Sequence, residues 1–221
     1  MSKKISKRNY RQRAHSNPFK DVDITIPTSP DKIDWMEHFI NGRCPSYLDI
    51  GCGYGKFIME LSKNENINVL GLEIRDKVFE YVKAKKNELN LANLSIMKTN
   101  ALLFLPNIFM KKSLEKIFIL FPDPHFKKRK QKGRVVCRQT INIYEYILRD
   151  DGRLYISTDV EHLFNDMVEI FKESGLFGQL PDSEIKEDPY YELTYKNTDE
   201  ALRAGAKTGA TFATIFKKYN F

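Results

Sequence analysis

The 221-residue sequence contains only three cysteines and no long apolar run, and its first 20 residues carry no acidic side chain. Cys44, Cys52 and Cys137 form no CxxC pair, which argues against a disulfide framework or a structural zinc site and favours a reducing intracellular setting. The four histidines show no metal-ligand spacing, so no metal is expected. No apolar stretch approaches the roughly 18 residues that span a bilayer, and the basic start lacks the apolar core of a secretory signal, so no membrane association is expected.

Positive charge is abundant and unevenly placed. The chain has 36 Lys and Arg against 29 Asp and Glu, a formal net charge of +7. Seven basic side chains fall within residues 1–20, so the rest of the chain is formally neutral. This charge favours a nucleic-acid partner. Residues 1–30 lack hydrophobic periodicity and end in a proline-punctuated stretch, which predicts a partly flexible basic arm over 1–30 and one folded domain over 31–221.

Short apolar runs alternate with amphipathic stretches along the predicted domain. Strands are predicted at 47–50, 67–72, 94–97, 116–121 and 153–157, with a late strand at 211–217. Helices are predicted at 57–62, 76–91, 139–148 and 160–173. This alternation predicts an α/β fold, with an open, mostly parallel sheet and helices on both faces. Ligands of such sheets bind beyond the carboxyl ends of the strands, so the residues there are the first candidates for a site.

A glycine-rich turn follows the first predicted strand. It reads DIGCGYG at 49–55, where glycines at every second position allow a sharp turn and a close approach to a ligand. Glu73 ends the second strand, where a carboxylate can accept hydrogen bonds from both hydroxyls of a ribose. Asn100 and Ala101 follow the third strand, where this fold usually meets an adenine ring. The turn fits neither a phosphate loop nor a dinucleotide fingerprint, and it resembles the first motif of class I S-adenosylmethionine-dependent methyltransferases.

A proline-flanked carboxylate follows the fourth predicted strand. Pro122 and Pro124 fix the backbone on either side of Asp123, which leaves this charged group little conformational freedom. Residues 127–134 then place six positive charges in eight positions, which predicts a surface that contacts phosphates. A carboxylate between a methyl donor and a basic surface indicates an RNA base as the acceptor.

Guanine is the base that fits such a carboxylate. Asp123 can accept hydrogen bonds from the N1–H and the exocyclic amine of its Watson–Crick edge. A target at N7 needs no general base, because N7 already carries a free lone pair. Catalysis would then consist of positioning that lone pair and stabilising the positive charge that develops on guanine.

Four segments together carry a resemblance to a known family. They read KRNYRQRAHSNPF at 7–19, DIGCGYG at 49–55, GLEIR at 71–75 and FPDPHFKKRK at 121–130. In these segments the chain closely resembles the tRNA (guanine-N7)-methyltransferase family, and its arm is typical of the eukaryotic branch. The resemblance implies a Rossmann-like class I methyltransferase fold with an antiparallel C-terminal strand. It also implies methyl transfer from S-adenosylmethionine to N7 of a guanosine in tRNA.

The resemblance implies roles for individual residues. Asp123 corresponds to the family's catalytic aspartate. Residues 198–200, followed by 212–216, are similar to the family's threonine-x-glutamate segment and closing strand, although this chain reads Ala-Leu-Arg at 201–203 where the family commonly has Gly-Lys-Lys. Contacts to the cofactor are implied for Gly51, Gly53, Glu73, Ile74, Arg75, Asn100, Ala101, Leu120, Thr198 and Glu200.

The family also implies partners and a place in the cell. Its substrate is the guanosine at position 46, in the variable loop of tRNA. Its eukaryotic branch works with a non-catalytic WD-repeat subunit. The nucleus is the expected location, with the cytoplasm as an alternative.

Two other functions are weighed against this one. An amino-group methyltransferase carries a similar turn with two adjacent prolines, whereas His125 and Phe126 follow Pro124 here. A non-catalytic RNA-binding module could keep the fold, but Asp49, Glu73 and Asp123 are all intact. The acidic residues between 182 and 188 are expected to form a solvated loop.

Overall fold

The computed structural model of the protein describes residues 5–12, 26–126, 133–207 and 209–220. Within these ranges one sheet contains the strands β1 (Tyr47–Ile50), β2 (Val69–Glu73), β3 (Leu94–Lys98), β4 (Leu114–Leu120), β5 (Leu148–Thr158), β6 (Phe177–Gln179) and β7 (Phe212–Lys218). The α-helices of these ranges are α1 (Lys56–Leu61), α2 (Asp76–Glu88), α3 (Ala101–Ile108), α4 (Arg138–Ile147), α5 (Glu161–Ser174), α6 (Asp182–Glu187), α7 (Tyr191–Lys196) and α8 (Asp199–Lys207). Short 3₁₀ helices lie at Lys7–Tyr10, Pro30–Lys32 and Trp35–Glu37.

The sheet has the strand order β3-β2-β1-β4-β5-β7-β6. Strands β1 to β5 are all parallel to one another, whereas β7 is antiparallel to both β5 and β6. The predicted α/β fold with a mostly parallel sheet and an antiparallel C-terminal strand is therefore confirmed. Because β2 and β3 lie on one side of β1 and β4 lies on the other, the chain changes its winding direction there. Such a switch point leaves a crevice beyond the carboxyl ends of the strands.

Alternate residues of the central strands pack into two hydrophobic cores, one on each face of the sheet. In β4, Ile117 and Ile119 belong to one core, and Phe118 and Leu120 belong to the other. Helices α3, α4 and α5 contribute to the first core, and α1, α2 and α6 contribute to the second. A strand that is buried on both faces requires a continuous apolar run, which explains why KIFILF at 116–121 predicts β4 correctly.

Several elements of the structure are not predicted by the sequence pattern. Helix α3 contains Pro106, a residue that removes a main-chain donor and is unusual inside helices. Strand β6 has three residues and pairs with the outer edge of β7. Strand β5 is longer than the predicted strand at 153–157, because it begins directly after α4 and pairs Leu148 with Leu114 before an irregularity in register.

The acidic stretch after β6 is not the solvated loop that the sequence suggests. Residues 182–187 form α6, and Asp188 is only 6% exposed. The Asp188 carboxylate accepts hydrogen bonds from Arg153 Nη1 at 2.5 Å, from Tyr155 Oη at 2.8 Å and from the backbone N–H of Tyr190 at 2.9 Å. The expectation is wrong for Asp188 because its side-chain partners lie on β5, where a local sequence pattern does not reveal them. This contact fixes the start of α7 against the sheet.

Lys218, the last residue of β7, carries a buried ammonium group with only 2% of its side chain exposed. Its Nζ donates to the main-chain oxygens of Glu145 at 2.6 Å and Leu148 at 2.8 Å, and it lies 2.8 Å from the Glu145 carboxylate. The C-terminal turn of a helix has carbonyl oxygens without intrahelical donors, and a cation there is favourable. Lys218 therefore caps the end of α4 and joins it to β7.

Replacement of Lys218 by methionine should keep the packing of the aliphatic chain and remove the donor from these oxygens. We expect the free energy of unfolding to fall by about 2–3 kcal/mol and Tm to fall by roughly 5–10 °C, measured by thermal and urea unfolding. Lys217→Met is the matched control, because the Lys217 side chain is 44% exposed and pairs with Asp151 on the surface. Equal losses in the two variants would contradict the capping role.

Candidate functional site

A cavity of about 290 Å³ opens beyond the carboxyl ends of β1, β2, β3 and β4. Ten of the residues with predicted roles line it: Gly51, Gly53, Glu73, Ile74, Arg75, Asn100, Ala101, Leu120, Asp123 and Glu200. The remaining one, Thr198, lines a small chamber that adjoins the cavity at Gly51, Leu120 and Glu200. The structure thus brings the predicted residues into one region, while their roles toward a ligand stay predictions.

The glycine loop between β1 and α1 forms one wall of the cavity. Gly51 has a φ of 79° and Gly53 a φ of 54°, both in the left-handed region that favours glycine. A Cβ at Gly51 would meet no atom within 4 Å, so the space in front of it is open. The backbone N–H groups of Gly51 and Cys52 donate to Leu72 O at 2.9 and 3.0 Å, which ties the loop to β2. The loop therefore offers a ligand a firmly held stretch of main chain.

Glu73 ends β2 with a carboxylate that is almost fully buried. Its Oε1 accepts hydrogen bonds from the backbone N–H groups of Ile74 and Arg75, each at 2.9 Å, and from Arg75 Nε at 3.1 Å. Its Oε2 accepts one from Arg75 Nη2 at 2.8 Å. The guanidinium fork thus fixes the carboxylate at the cavity wall. Because a carboxylate oxygen can accept two hydrogen bonds, Oε2 retains capacity for a ligand hydroxyl.

Asp49 lies one strand away in the small chamber next to the cavity, where it is 3% exposed. Burial raises the pKa of the Asp49 carboxyl well above its usual range, and the negative charges of Glu200 and Glu73 raise it further. Burial of Cys52 likewise raises the pKa of its thiol, and the negative charges of Asp49 and Glu73 raise it further. Cys52 is therefore a small packing residue with an unreactive thiol.

Asp49→Asn is expected to stabilise the ligand-free protein at high pH. The carboxyl of the unfolded chain ionises near pH ~4, whereas the buried one holds its proton to higher pH, so the wild-type protein loses stability as pH rises between the two values. The amide has no proton to lose. Thermal unfolding should show a Tm advantage of the variant over the wild-type protein that grows as the pH is raised from about 4 toward neutrality. An advantage that is constant across this range would contradict the buried, protonated state.

The end of β3 contributes two predicted residues, Asn100 and Ala101, and one that the sequence did not single out, Thr99. Asn100 caps α3, since its side-chain Oδ1 accepts a hydrogen bond from the backbone N–H of Leu102 at 3.0 Å. Thr99 also lines the cavity, and its buried Oγ1 has no hydrogen-bond partner within the described part of the chain. An unpaired buried hydroxyl is costly unless a ligand or water satisfies it. Its place directly after a strand was the signal that could have identified Thr99.

The turn after β4 places Asp123 in the lining of the cavity. Phe121 and His125 adopt left-handed conformations, with φ of 49° and 43°. Both are non-glycine residues, so the turn is strained on either side of Asp123. The backbone N–H of Phe121 donates to Ser157 O at 2.7 Å, which attaches the start of the turn to β5. Glu73 and Asp123 thus line the cavity from the ends of strands that lie on either side of β1.

Arg134 is the charged residue of the predicted basic surface 127–134 that the structure describes. It is 8% exposed, and its guanidinium is bonded to Pro124 O and to Asp166. The predicted contact with phosphate is wrong for Arg134, because its charge is buried in an internal ion pair. Residues 127–132, together with 1–4 and 13–25 of the predicted basic arm, lie outside the described residues.

The described part of the N-terminal arm packs beside the cavity. The ring of Tyr10 contacts that of Tyr81 on α2 with centroids 5.6 Å apart, and Tyr54 of the glycine loop donates its hydroxyl to Tyr10 O at 3.4 Å. Lys7 Nζ forms an ion pair with Asp199 of α8 at 2.5 Å. These contacts join the segment to the glycine loop and α8. The division of the chain at residue 30 stays a prediction.

The helix α8 delivers Glu200 to the cavity. Thr198 is 6% exposed, and its Oγ1 accepts a hydrogen bond from the backbone N–H of Ala201 at 2.8 Å, which caps the helix. Glu200 and Arg203, one turn apart, both line the cavity. In the described ranges no cluster of three His, Cys, Asp or Glu side chains is arranged to hold a metal ion. Among the helices of those ranges, none has the length and apolar character to cross a membrane.

Comparison with known proteins gives matches along most of the chain. Residues 43–214 match the protein family described as "Putative methyltransferase". The chain is 39% identical over 224 residues to a tRNA (guanine-N(7)-)-methyltransferase of Caenorhabditis elegans, covering 96% of this chain and 88% of the relative. It is 40% identical over 223 residues to the protein of the same name from Bombyx mori, covering 96% and 94%. A solved SAM-dependent methyltransferase from Aquifex aeolicus superposes with a TM-score of 0.50 at 15% identity, over 80% of this chain and 82% of that one, which shows the fold alone.

Proposed function

Since the chain belongs to the tRNA (guanine-N7)-methyltransferase family, we propose that it transfers a methyl group from S-adenosylmethionine to N7 of a guanosine in tRNA. The observation that carries the proposal is the identity of 39% and 40% to two curated relatives over 96% of the chain. The cavity supports it, because its lining includes Glu73 at the end of β2 and Asp123 after β4, on either side of β1. The β2 side then suits a nucleoside cofactor and the β4 side suits a base.

The residues around the carboxyl ends of β1, β2 and β3 fit S-adenosylmethionine. Glu73 Oε2 can accept a hydrogen bond from a ribose hydroxyl, and the open main chain at Gly51 allows close approach of the ligand. Thr99 Oγ1 is buried at the same wall without a partner among the described residues. Glu200 adds an acidic group to this lining, which suits a ligand of net positive charge. When bound, the cofactor supplies a methyl group carried on a cationic sulfur.

Asp123 binds and orients the guanine. Its carboxylate accepts hydrogen bonds from N1–H and the exocyclic amine, which directs the N7 side of the ring toward the cofactor wall. The N7 lone pair needs no base to activate it. The negative charge of Asp123 also offsets the positive charge that methylation leaves on the ring. The residue therefore acts by position and charge and leaves the guanine protons in place.

Methyl transfer to tRNA tests the proposal directly. The purified chain is incubated with tritiated S-adenosylmethionine and a tRNA transcript, and the labelled nucleoside is identified after digestion; 7-methylguanosine is expected. A transcript made with 7-deazaguanosine lacks N7 and should accept no label. Labelled 6-methyladenosine would instead support an amino-group methyltransferase. No label, together with no binding of S-adenosylmethionine in calorimetry, would support a non-catalytic RNA-binding module.

The modified guanosine is proposed to be that of position 46, in the variable loop, as the family implies. A transcript with adenosine at position 46 is the test, since it keeps the rest of the tRNA. It should lose the label completely. Label that persists on this transcript would place the modified guanosine elsewhere.

A non-catalytic WD-repeat subunit is proposed as the partner that helps to hold the tRNA. Methylation by the chain alone and after addition of the WD-repeat subunit should be compared at equal enzyme concentration. We expect the subunit to lower KM for tRNA, and an unchanged KM would contradict the proposal.

The nucleus is proposed as the cellular location, on the strength of the family alone. Imaging of a fluorescent fusion in intact cells tests it, and a signal confined to the cytoplasm would contradict it.

A further inference from the structure

The turn that carries Asp123 lacks the support of regular secondary structure at its far end. The backbone N–H of Phe121 is bonded to Ser157 O, which holds the start of the turn. The other end passes through His125, whose φ of 43° is unfavourable for a residue with a side chain. A strained turn keeps one conformation only where the surrounding structure holds it. Contacts that fix the main chain after Asp123 therefore help to hold Asp123 in position.

Arg134 supplies that support. Its Nε donates to the main-chain oxygen of Pro124, the residue after Asp123, at 2.9 Å. Its Nη1 donates to Asp166 Oδ2 on α5 at 2.7 Å. The guanidinium thus bridges Asp166, in the middle of α5, and the main chain directly after Asp123. Because its nitrogens form a rigid planar fork, both contacts are made in a fixed relative geometry.

Arg134 is poorly placed to contact RNA itself. Only 9% of its side chain is exposed, against 44% for that of its partner Asp166. By contrast, the side chain of Arg138, four residues further along the chain, is 80% exposed and pairs with Glu173 on the surface. Of these two arginines, only Arg138 has the exposure of a surface cation.

We propose that Arg134 is a positioning residue for methyl transfer, which holds Asp123 in place through Pro124 O and is itself anchored by Asp166. The inference rests on the proposed function, because it concerns the placement of Asp123 against the guanine. Loss of this bridge through Arg134 leaves every group that touches substrate or cofactor present. It should therefore lower kcat with little change in the affinity for S-adenosylmethionine.

The test is a double-mutant cycle between Arg134 and Asp123. Arg134→Lys keeps the charge and removes the fork, and we expect kcat to fall about 10- to 100-fold with KM for tRNA nearly unchanged. In an Asp123→Asn background the same substitution should change kcat by less than about twofold, since the group that it positions is already lost. A residue with a general structural role would produce the same fold-loss in both backgrounds. Arg138→Lys is the matched control and should leave kcat unchanged.

Asp166→Ala provides an independent variant, because it removes the half-exposed carboxylate that pairs with the Arg134 guanidinium. It should lower kcat in the same direction as Arg134→Lys, with the affinity for S-adenosylmethionine close to the wild-type value. Tm should fall, because the buried guanidinium of Arg134 loses its counter-charge. If Arg134→Lys fails to fold, the cycle is carried out with Asp166→Ala and Asp123→Asn. Additive effects in the cycle, or a rise in KM for tRNA at unchanged kcat, would overturn the proposal. A wild-type protein that methylates no tRNA would instead overturn the proposed function.

Discussion

Replacement of Asp123 by asparagine is expected to lower kcat for methyl transfer about 100- to 1000-fold. The amide has the shape of the carboxylate, and its oxygen can still accept from one of the two guanine donors, but its NH2 group faces the other donor and loses that hydrogen bond. It also lacks the charge that offsets the positive ring after methylation. Single-turnover measurements with saturating tRNA and tritiated cofactor report this rate without interference from product release.

Binding of S-adenosylmethionine should be nearly unaffected by Asp123→Asn. Glu73 ends β2 and Asp123 follows β4, with β1 between these strands in the sheet, so the loss concerns the acceptor side of the cavity. Calorimetry should therefore give a Kd close to that of the wild-type protein. Asp182→Asn, on the exposed surface of α6, controls for the loss of one negative charge and should keep full activity. A near-normal rate for Asp123→Asn, or an equal loss of cofactor binding, would contradict the role of Asp123.

The sequence predicts those elements of the fold that depend on a local residue pattern. KIFILF at 116–121 predicts β4, because burial on both faces requires an unbroken apolar run. Parallel strands with a switch point then place their carboxyl ends side by side. This rule brings Gly51, Glu73 and Asp123, which are far apart in the chain, to one cavity. Strand ends thus predict this part of the candidate site, whereas Thr198 and Glu200 are expected only from the resemblance to the family.

The features that the sequence does not predict depend on contacts between distant residues. Asp188 looks like one more acid of a solvated stretch until Arg153 and Tyr155 of β5 are placed beside it. In the sequence, Arg134 likewise belongs to a predicted basic surface. In the structure, its guanidinium is buried and pairs with Asp166 on α5. In both cases an internal ion pair decides the burial of a charged side chain. A charged residue therefore indicates an exposed position only where the fold brings no oppositely charged side chain against it.

Glu73→Gln is expected to weaken the binding of S-adenosylmethionine about 10- to 100-fold. The glutamine oxygen can accept from one ribose hydroxyl, but the substituted nitrogen is a donor and cannot accept from the second. The substitution also leaves the guanidinium of Arg75, whose side chain is 14% exposed, without its counter-charge. Calorimetry should show the loss of affinity. Glu65→Gln, at an exposed position in the turn after α1, is the control and should bind normally.

A double variant separates the two effects of Glu73→Gln. In Glu73→Gln with Arg75→Gln, the buried charge is removed together with its former partner, so Tm should recover relative to Glu73→Gln alone. The affinity for S-adenosylmethionine should remain low, because the carboxylate that accepts from the ribose is still missing. Recovery of both quantities would mean that Glu73 acts only by holding Arg75. Arg75 also lines the cavity, so Arg75→Gln alone is measured as the control. Near-normal affinity in that control, with recovery of Tm but not of affinity in the double variant, assigns the ribose contact to the Glu73 carboxylate itself.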